Sequence, residues 1–433
     1  MRLRLYAPLI AALALVAAPP ALAAASGHGG PIKAMAVAAD GKTALTAGFD
    51  YSVILWDLAS GRPLRRMIGH DAAVDAVVFV PGGRAVSASD DASLILWNLA
   101  DGALLARWRK HDAKIAALAA APGGGMVASG GWDRKVILWN VATGNPRVLG
   151  THEANVNALA FSPEGALLAS GDYSGMIMLW RMPGGTLAGS LPGDGFPVNA
   201  LAFTPGGTLL AALGDDSVRV FDPGKKRELL RYMGHTEPAV SLAVSPDGAL
   251  AASGSSRGTI DIWRIATGET LHGIYAVPGP VWAVAFLPRG ERLLSAGADG
   301  MLRQWETATG LELSGRQPAL GPPSEPKDRG AMLFRKCQAC HGFDPGDEAK
   351  AGPTFWHLIG RRAGTVAGYP YSPALKASGL VWDKATIDRL FAQGPEAVAP
   401  GSKMPLQKMP SAKDRADLIE YLVRHANDRA GVE

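Results

Sequence analysis

An aromatic residue that returns every 41 or 42 residues, short apolar runs cut by turns, and one Cys-x-x-Cys-His pentapeptide predict a multidomain chain. The predicted fold class is an all-β ring of seven repeated four-stranded sheets, followed by a compact all-α domain. A length of 433 residues leaves ample material for a core in each part. Charged residues make up 19% and hydrophobic residues 48%, as in a soluble globular protein. The formal net charge of +4 is small, and no basic run points to nucleic acid. Charge is unevenly placed: residues 329–433 hold 15 Lys and Arg against 11 Asp and Glu, whereas residues 24–328 hold 26 against 28.

The chain opens with Arg2 and Arg4, an apolar run from Leu5 to about Ala18, then Pro19-Pro20 and Ala21-Leu22-Ala23. This is the pattern of a secretory signal peptide over residues 1–23, with cleavage expected after Ala23. The run is shorter than the roughly 20 residues of a spanning helix, so no stable membrane span is expected after cleavage. An uncleaved leader would leave the protein membrane-anchored.

Residues 28–315 carry the repeats. Trp56, Trp97, Trp139, Trp180, Phe221, Trp263 and Trp305 each close a short alternating run such as Val53-Ile54-Leu55. A second run upstream contains Thr46, Ser87, Ser129, Ser170, Ser253 or Ser295, and a third precedes a Pro-x-Gly turn in most copies. Period-2 runs bounded by Gly, Pro and Asp read as strands, four to a unit. A single four-stranded sheet cannot bury both faces, so such units stack around a channel. The strand order places the outer strand of unit seven near Leu311–Gly315, and a contribution from residues 24–27 is left open.

With Gly27-His28, Gly69-His70 and Gly234-His235, and weaker copies at His111 and His152, the repeats resemble the WD-repeat family. The resemblance implies a seven-bladed β-propeller with a buried His, Ser/Thr, Asp and Trp tetrad in each blade. The matching acids are Asp50, Asp91, Asp133, Asp215 and Asp299, while Ser174 and Arg257 stand at that position in blades four and six. Blade five has Ala211 and Phe221 in place of the Ser/Thr and Trp, and blades five and seven lack the His. The histidines belong to different blades, which favours a structural role over a metal site.

Residues 316–328 contain four prolines and no periodicity, the composition of a semi-extended linker. Asp328 can cap a helix that begins near Arg329 and runs into Cys337-Gln338-Ala339-Cys340-His341. Two cysteines three apart followed at once by histidine form the attachment site of a c-type haem. Each thiol of Cys337 and Cys340 adds across one vinyl group, and His341 is the proximal iron ligand. The chain has only two cysteines, so it holds one such covalent haem and no disulfide.

From Gly330 to about Ala426, within a domain of residues 329–433, the sequence resembles class I cytochrome c. The resemblance implies that a first helix with Gly330 and Phe334 crosses a last helix at residues 418–422. It implies that the Pro353 carbonyl accepts the second ring N–H of His341. Arg361, Tyr371 and Trp382 match residues around the haem propionates, and Pro400-Gly401-Ser402-Lys403-Met404 matches the loop of the distal ligand Met404. Met409 and His357 are the alternatives. Lys336, Lys350, Lys403 and Lys408 are expected around the exposed haem edge, as a docking ring for an acidic redox partner or an ordinary solvated face.

These expectations point to a periplasmic electron-transfer protein whose propeller binds a protein partner. The alternative is an oxidoreductase whose propeller holds a substrate or second cofactor and feeds electrons to the haem.

Overall fold

The computed structural model describes residues 22–23, 25–315, 329–338, 341–343, 352–367, 369, 371–399, 409 and 411–427. Runs of about six alternating residues, each ended by Gly, Asp or Pro, are too short for helices and long enough for strands. They form seven four-stranded antiparallel sheets. In the first blade the strands are Ile32–Val37, Thr43–Gly48, Ser52–Asp57 and Arg62–Ile68, in that order outward. Innermost strands of neighbouring blades adjoin one another all round. That of blade seven, Ala283–Phe286, meets Ile32–Val37 and closes the ring.

The outer position of blade seven is filled from both ends of the repeat region: Glu312 bridges Trp305 antiparallel, as expected near Leu311–Gly315, and Ala25–Ser26 runs antiparallel to Met301–Leu302. Ser314–Gly315 pairs instead with Leu22–Ala23 in a separate parallel ladder. The N-terminal segment therefore completes the last blade, so the two ends of the ring are fastened by strand pairing. The buried side chain of Gln304 adds a bond from its amide to the Leu58 carbonyl, at 3.0 Å, across the seam between blades seven and one.

Six of the seven blades are pinned by one buried hydroxyl, Ala211 standing at that position in blade five. In blade one Thr46 Oγ1 lies 2.7 Å from His28 Nε2 and accepts from Trp56 Nε1 at 2.6 Å, while His28 Nδ1 donates to Asp50 at 2.9 Å. The same geometry holds at His70, Ser87, Trp97 and Asp91, and at His111, Ser129, Trp139 and Asp133. Blade four corrects the sequence reading. Its acid is Asp172, two residues before Ser174, and it sits 2.9 Å from His152 Nδ1. Ser174 hydrogen-bonds Asp172 instead, as Ser52 and Ser93 bond the acids of blades one and two. In blade six the carboxylate comes from the third strand: Asp261 lies 3.3 Å from His235 Nδ1 and accepts from the Tyr232 hydroxyl at 2.9 Å. In the two blades without histidine, arginine takes up the turn acid. Arg219 pairs with Asp215 at 2.8 Å, and Arg303 with Asp299 at 2.6 Å.

The C-terminal part is helical. Among the described residues are α1 (Arg329–Gln338), α2 (Pro373–Ala377), α3 (Lys384–Gln393), α4 (Pro395–Val398) and α5 (Ala412–Asn427). α1 crosses α5 where Gly330 is buried and Phe334 meets Tyr421 at 5.2 Å, and Arg329 pairs with Asp414 at 3.0 Å. A reciprocal cap starts α3: Asp383 Oδ1 accepts from Thr386 N, and Thr386 Oγ1 accepts from Asp383 N, both at 2.7 Å. Phe334, Leu358, Leu375, Ile387, Leu390, Phe391, Leu418 and Leu422 form the core. Asp328 and the linker lie outside the described residues.

The tetrads make the ring sensitive to acid. Desolvation pushes His111, His152 and His235 below the ordinary value of 6.5, against the pull of Asp133, Asp172 and Asp261. As pH falls, the unfolded chain protonates these histidines first, so stability present above 6.5 is lost below it. Burial pushes Asp50 up, but His28, Arg66 and the Gly29 N–H outweigh it and hold the carboxyl at about 2. Its stabilisation is complete above the ordinary value of 3.8 and lost as pH falls towards 2. Thermal unfolding followed by tryptophan fluorescence should show a flat midpoint from pH 8 to 7. Below about pH 6.5 stability should fall by at most ~1.4 kcal/mol per pH unit for each histidine, with a second fall below about pH 4. A midpoint that rises between pH 6.5 and 5 contradicts neutral, buried imidazoles.

Candidate functional site

α1 delivers the first cysteine of the pentapeptide. Cys337 is buried in the last turn, its carbonyl accepts from His341 N at 2.8 Å, and that bond turns the chain back under the helix end. Cys340 lies outside the described residues. His341 Nδ1 donates to the Pro353 carbonyl at 2.8 Å, which fixes the tautomer and puts on Nε2 the lone pair that can ligate a metal. A Cβ at Gly352 would overlap the His341 ring, so only glycine lets the chain pass there. Phe355 N donates to Gly342 O at 2.8 Å, and the Phe355 ring stacks on the His341 imidazole at 4.3 Å and 14°. Sequence reasoning did not single out Phe355. Its one signal is an aromatic two residues after Pro353.

Arg361 stands beside this turn. Its guanidinium donates to the carbonyls of Trp356 at 2.5 Å and Thr354 at 2.7 Å, and so ties down the segment that carries Pro353. Burial pushes its pKa down, with Tyr371 opposing, while burial pushes the Tyr371 phenol up. Trp382 N donates to Arg361 O at 2.9 Å and its carbonyl accepts from Gly360 at 2.8 Å. Arg361, Tyr371 and Trp382 thus lie in one region beside the helical core, where Tyr371 and Trp382 pack.

The rivals for the distal position are placed differently. His357 is exposed, with φ +50°, its N–H on the Ala426 carbonyl and its ring edge-on to Trp356. Met409 is partly buried against the core. Its N–H bonds Phe391 O at 2.7 Å, and its carbonyl accepts from Arg415 at 2.8 Å. Met404, Lys350, Lys403 and Lys408 lie outside the described residues, as does the side chain of Lys336.

This donor set fits a c-type haem. A buried thiol, an imidazole with one nitrogen already committed, and a glycine that clears the ring are what covalent attachment and one axial bond require.

Comparison with known proteins agrees with both halves. The model of the WD domain, G-beta repeat, matches residues 22–57, 61–98, 102–140, 145–181, 185–222, 226–264 and 269–306. Cytochrome c2 of Rhodomicrobium vannielii is 39% identical over 94 residues, covering 22% of this chain and 74% of that protein. A cytochrome c2 of Rhodoplanes tepidamans is 42% identical over 101 residues, 23% of this chain and 94% of its own length. Cytochrome c 2.1 of Caenorhabditis briggsae is 38% identical over 101 residues, 23% of this chain and 88% of that protein.

Gly352→Ala should drive the new methyl into His341. The expected cost is about 1–3 kcal/mol of stability in the C-terminal domain. Chemical denaturation followed by haem absorbance measures it, and an unchanged midpoint would show that the turn around residue 352 is looser than the geometry requires.

Proposed function

This chain belongs to the WD-repeat family and carries a C-terminal segment homologous to cytochrome c2, and from that premise we propose a periplasmic electron-transfer protein. In this reading Cys337 and Cys340 would hold one haem c through thioethers, His341 and Met404 would ligate its iron, and the propeller is a platform for a partner protein. The observation that carries it is His341 Nδ1 held on the Pro353 carbonyl, with Nε2 left as the ligating nitrogen. When bound, the haem supplies a one-electron Fe(III)/Fe(II) couple.

The residues of the chain do the rest. Pro353 raises the basicity of His341, Phe355 holds its ring plane, and Arg361 fastens the supporting segment. A thioether from Met404 would favour the reduced state and raise the potential, and with His341 and Met404 both bound no iron position would be left for substrate. The excess of lysine and arginine on residues 329–433 suits an acidic redox partner.

The domain limits proposed are a leader over 1–23, a linker over 316–328 and a haem domain over 329–433. Cleavage after Ala23 would remove Leu22–Ala23 from its ladder with Ser314–Gly315 and leave the closing strand Ala25–Ser26 intact. No helix among the described residues is long and apolar enough to cross a membrane.

The purified protein should carry one haem per chain that resists acid–acetone extraction, and Cys337→Ala or Cys340→Ala should abolish stable holoprotein. Met404→Ala should remove the long-wavelength methionine–iron band of the oxidised protein, lower the potential and admit carbon monoxide to the ferrous iron. Met409→Ala should leave all three nearly unchanged. A wild-type protein that already binds carbon monoxide at neutral pH would overturn the saturated-carrier reading.

A further inference from the structure

A row of rings runs through the helical part from His341 to the last turn of α5. The Phe355 ring stacks on the His341 imidazole, with centroids 4.3 Å apart and planes at 14°. Phe343 comes next, 6.0 Å from Phe355 and inclined to it at 62°. Its ring lies 5.7 Å from that of His425 and 6.1 Å from that of Tyr421. Tyr421 and His425 stack at 4.0 Å, so the row ends on a pair. Ring centroids at these separations belong to aromatic side chains in contact, face to face or edge to face.

Two features set this row apart from ordinary core packing. Both of its end members are imidazoles, and both are fixed in the same way. His341 Nδ1 donates to the Pro353 carbonyl and His425 Nδ1 to the Tyr421 carbonyl, each at 2.8 Å. Each ring is thereby held in one tautomer, with the remaining lone pair on Nε2. The row also runs outward. Phe355, Phe343 and His425 are all half-buried, and Arg424 beside the last of them is exposed. The segment that carries Phe355 is fastened to the same helix end, because His357 N donates to Ala426 O at 3.0 Å. Leu418 and Leu422 fill the core behind the row without extending it.

We propose that Phe355, Phe343 and His425 form an electron route from His341 to the surface at the C-terminal end of α5, where a one-electron redox protein gives or takes the electron. The proposal rests on the reading of His341 as a ligand of haem iron. In the outgoing direction Fe(II) becomes Fe(III) and the oxidised centre of the partner gains the electron; no bond forms or breaks and no proton moves. The phenyl rings are not themselves oxidised. They fill the space through which the electron tunnels, and tunnelling falls off more steeply across a gap than through atoms in contact. Phe355 is the first step because it covers the face of the ligand imidazole, and His425 is the last because its ring reaches the surface.

Photochemical electron transfer in the full-length holoprotein tests the route. A ruthenium polypyridyl complex is bound to His425 in a chain carrying His272→Gln and His357→Gln. The reference label sits on His357, whose ring is edge-on to Trp356, in a chain carrying His272→Gln and His425→Gln. The five histidine side chains of the propeller tetrads are closed to solvent and take no label. A flash creates Ru(III), and the rate at which the haem reduces it is read from haem absorbance. Phe343→Leu should slow transfer to the His425 label several-fold, with the rate to the His357 label and the reduction potential unchanged. Phe343→Tyr keeps the ring and should keep the rate. Phe355→Leu opens the row at its other junction and should also slow the His425 label, which decides the matter if Phe343→Leu does not fold. An unchanged rate to His425, or equal slowing at both labels in Phe343→Leu, overturns the route. A chain without covalent haem overturns the cofactor reading and the route together, whereas a normal haem spectrum with indifferent rates overturns the route alone.

Discussion

One buried hydroxyl in each of six blades holds the ring in register. Thr46, Ser87, Ser129 and Ser170 each accept an indole N–H and bond an imidazole, whose other nitrogen meets a carboxylate. That chain of bonds joins the second strand, the third strand, the entering segment and the turn, so four backbone pieces cannot shift independently. Every group in it is removed from water, and a blade with one member missing must find a substitute or leave a buried polar atom unpaired. Blade six does both: Asp261 serves His235 and Tyr232 from the third strand, yet His235 Nδ1 has no well-directed hydrogen bond.

This explains which parts were legible in the sequence. The tryptophan period and the hydroxyl run are local and regular, so the count of seven blades follows from spacing alone. The acids are not bound to one register. Asp172 reaches His152 from two residues earlier, Asp261 comes from the third strand, and Arg219 and Arg303 take up the turn acids where histidine is missing. What the chemistry demands is a carboxylate within reach of a nitrogen, and several backbone positions meet that demand. Closure was illegible for another reason. Pairing Ala25 with Leu302 joins residues at opposite ends of the repeat region, and two residues carry no periodicity to read.

The haem-binding turn shows the same division. Its pentapeptide and the Gly352-Pro353 pair are short fixed spacings, and the His341–Pro353 bond lies where they point. Phe355 on the imidazole and Arg361 on the Trp356 and Thr354 carbonyls are contacts between neighbouring turns, set by how the chain folds back and not by a spacing. The two halves also divide the labour of rigidity. In the propeller, hydrogen bonds between side chains fix each unit, whereas in the helical part apolar packing of Phe334, Leu418 and Leu422 does so.

Buried aspartates make the physical logic of the ring plain. Asp50 and Asp75 are both nearly inaccessible, and burial pushes both carboxyls up. Asp50 nevertheless ends near 2 and Asp75 near 8. Donors decide the sign. Asp50 receives an imidazole, a guanidinium, a hydroxyl and backbone N–H groups, all of which favour the anion. Asp75 faces another carboxyl and keeps one oxygen without a partner among the described residues, so it keeps its proton instead. Burial alone would not tell the two sites apart; the donors around each carboxyl do.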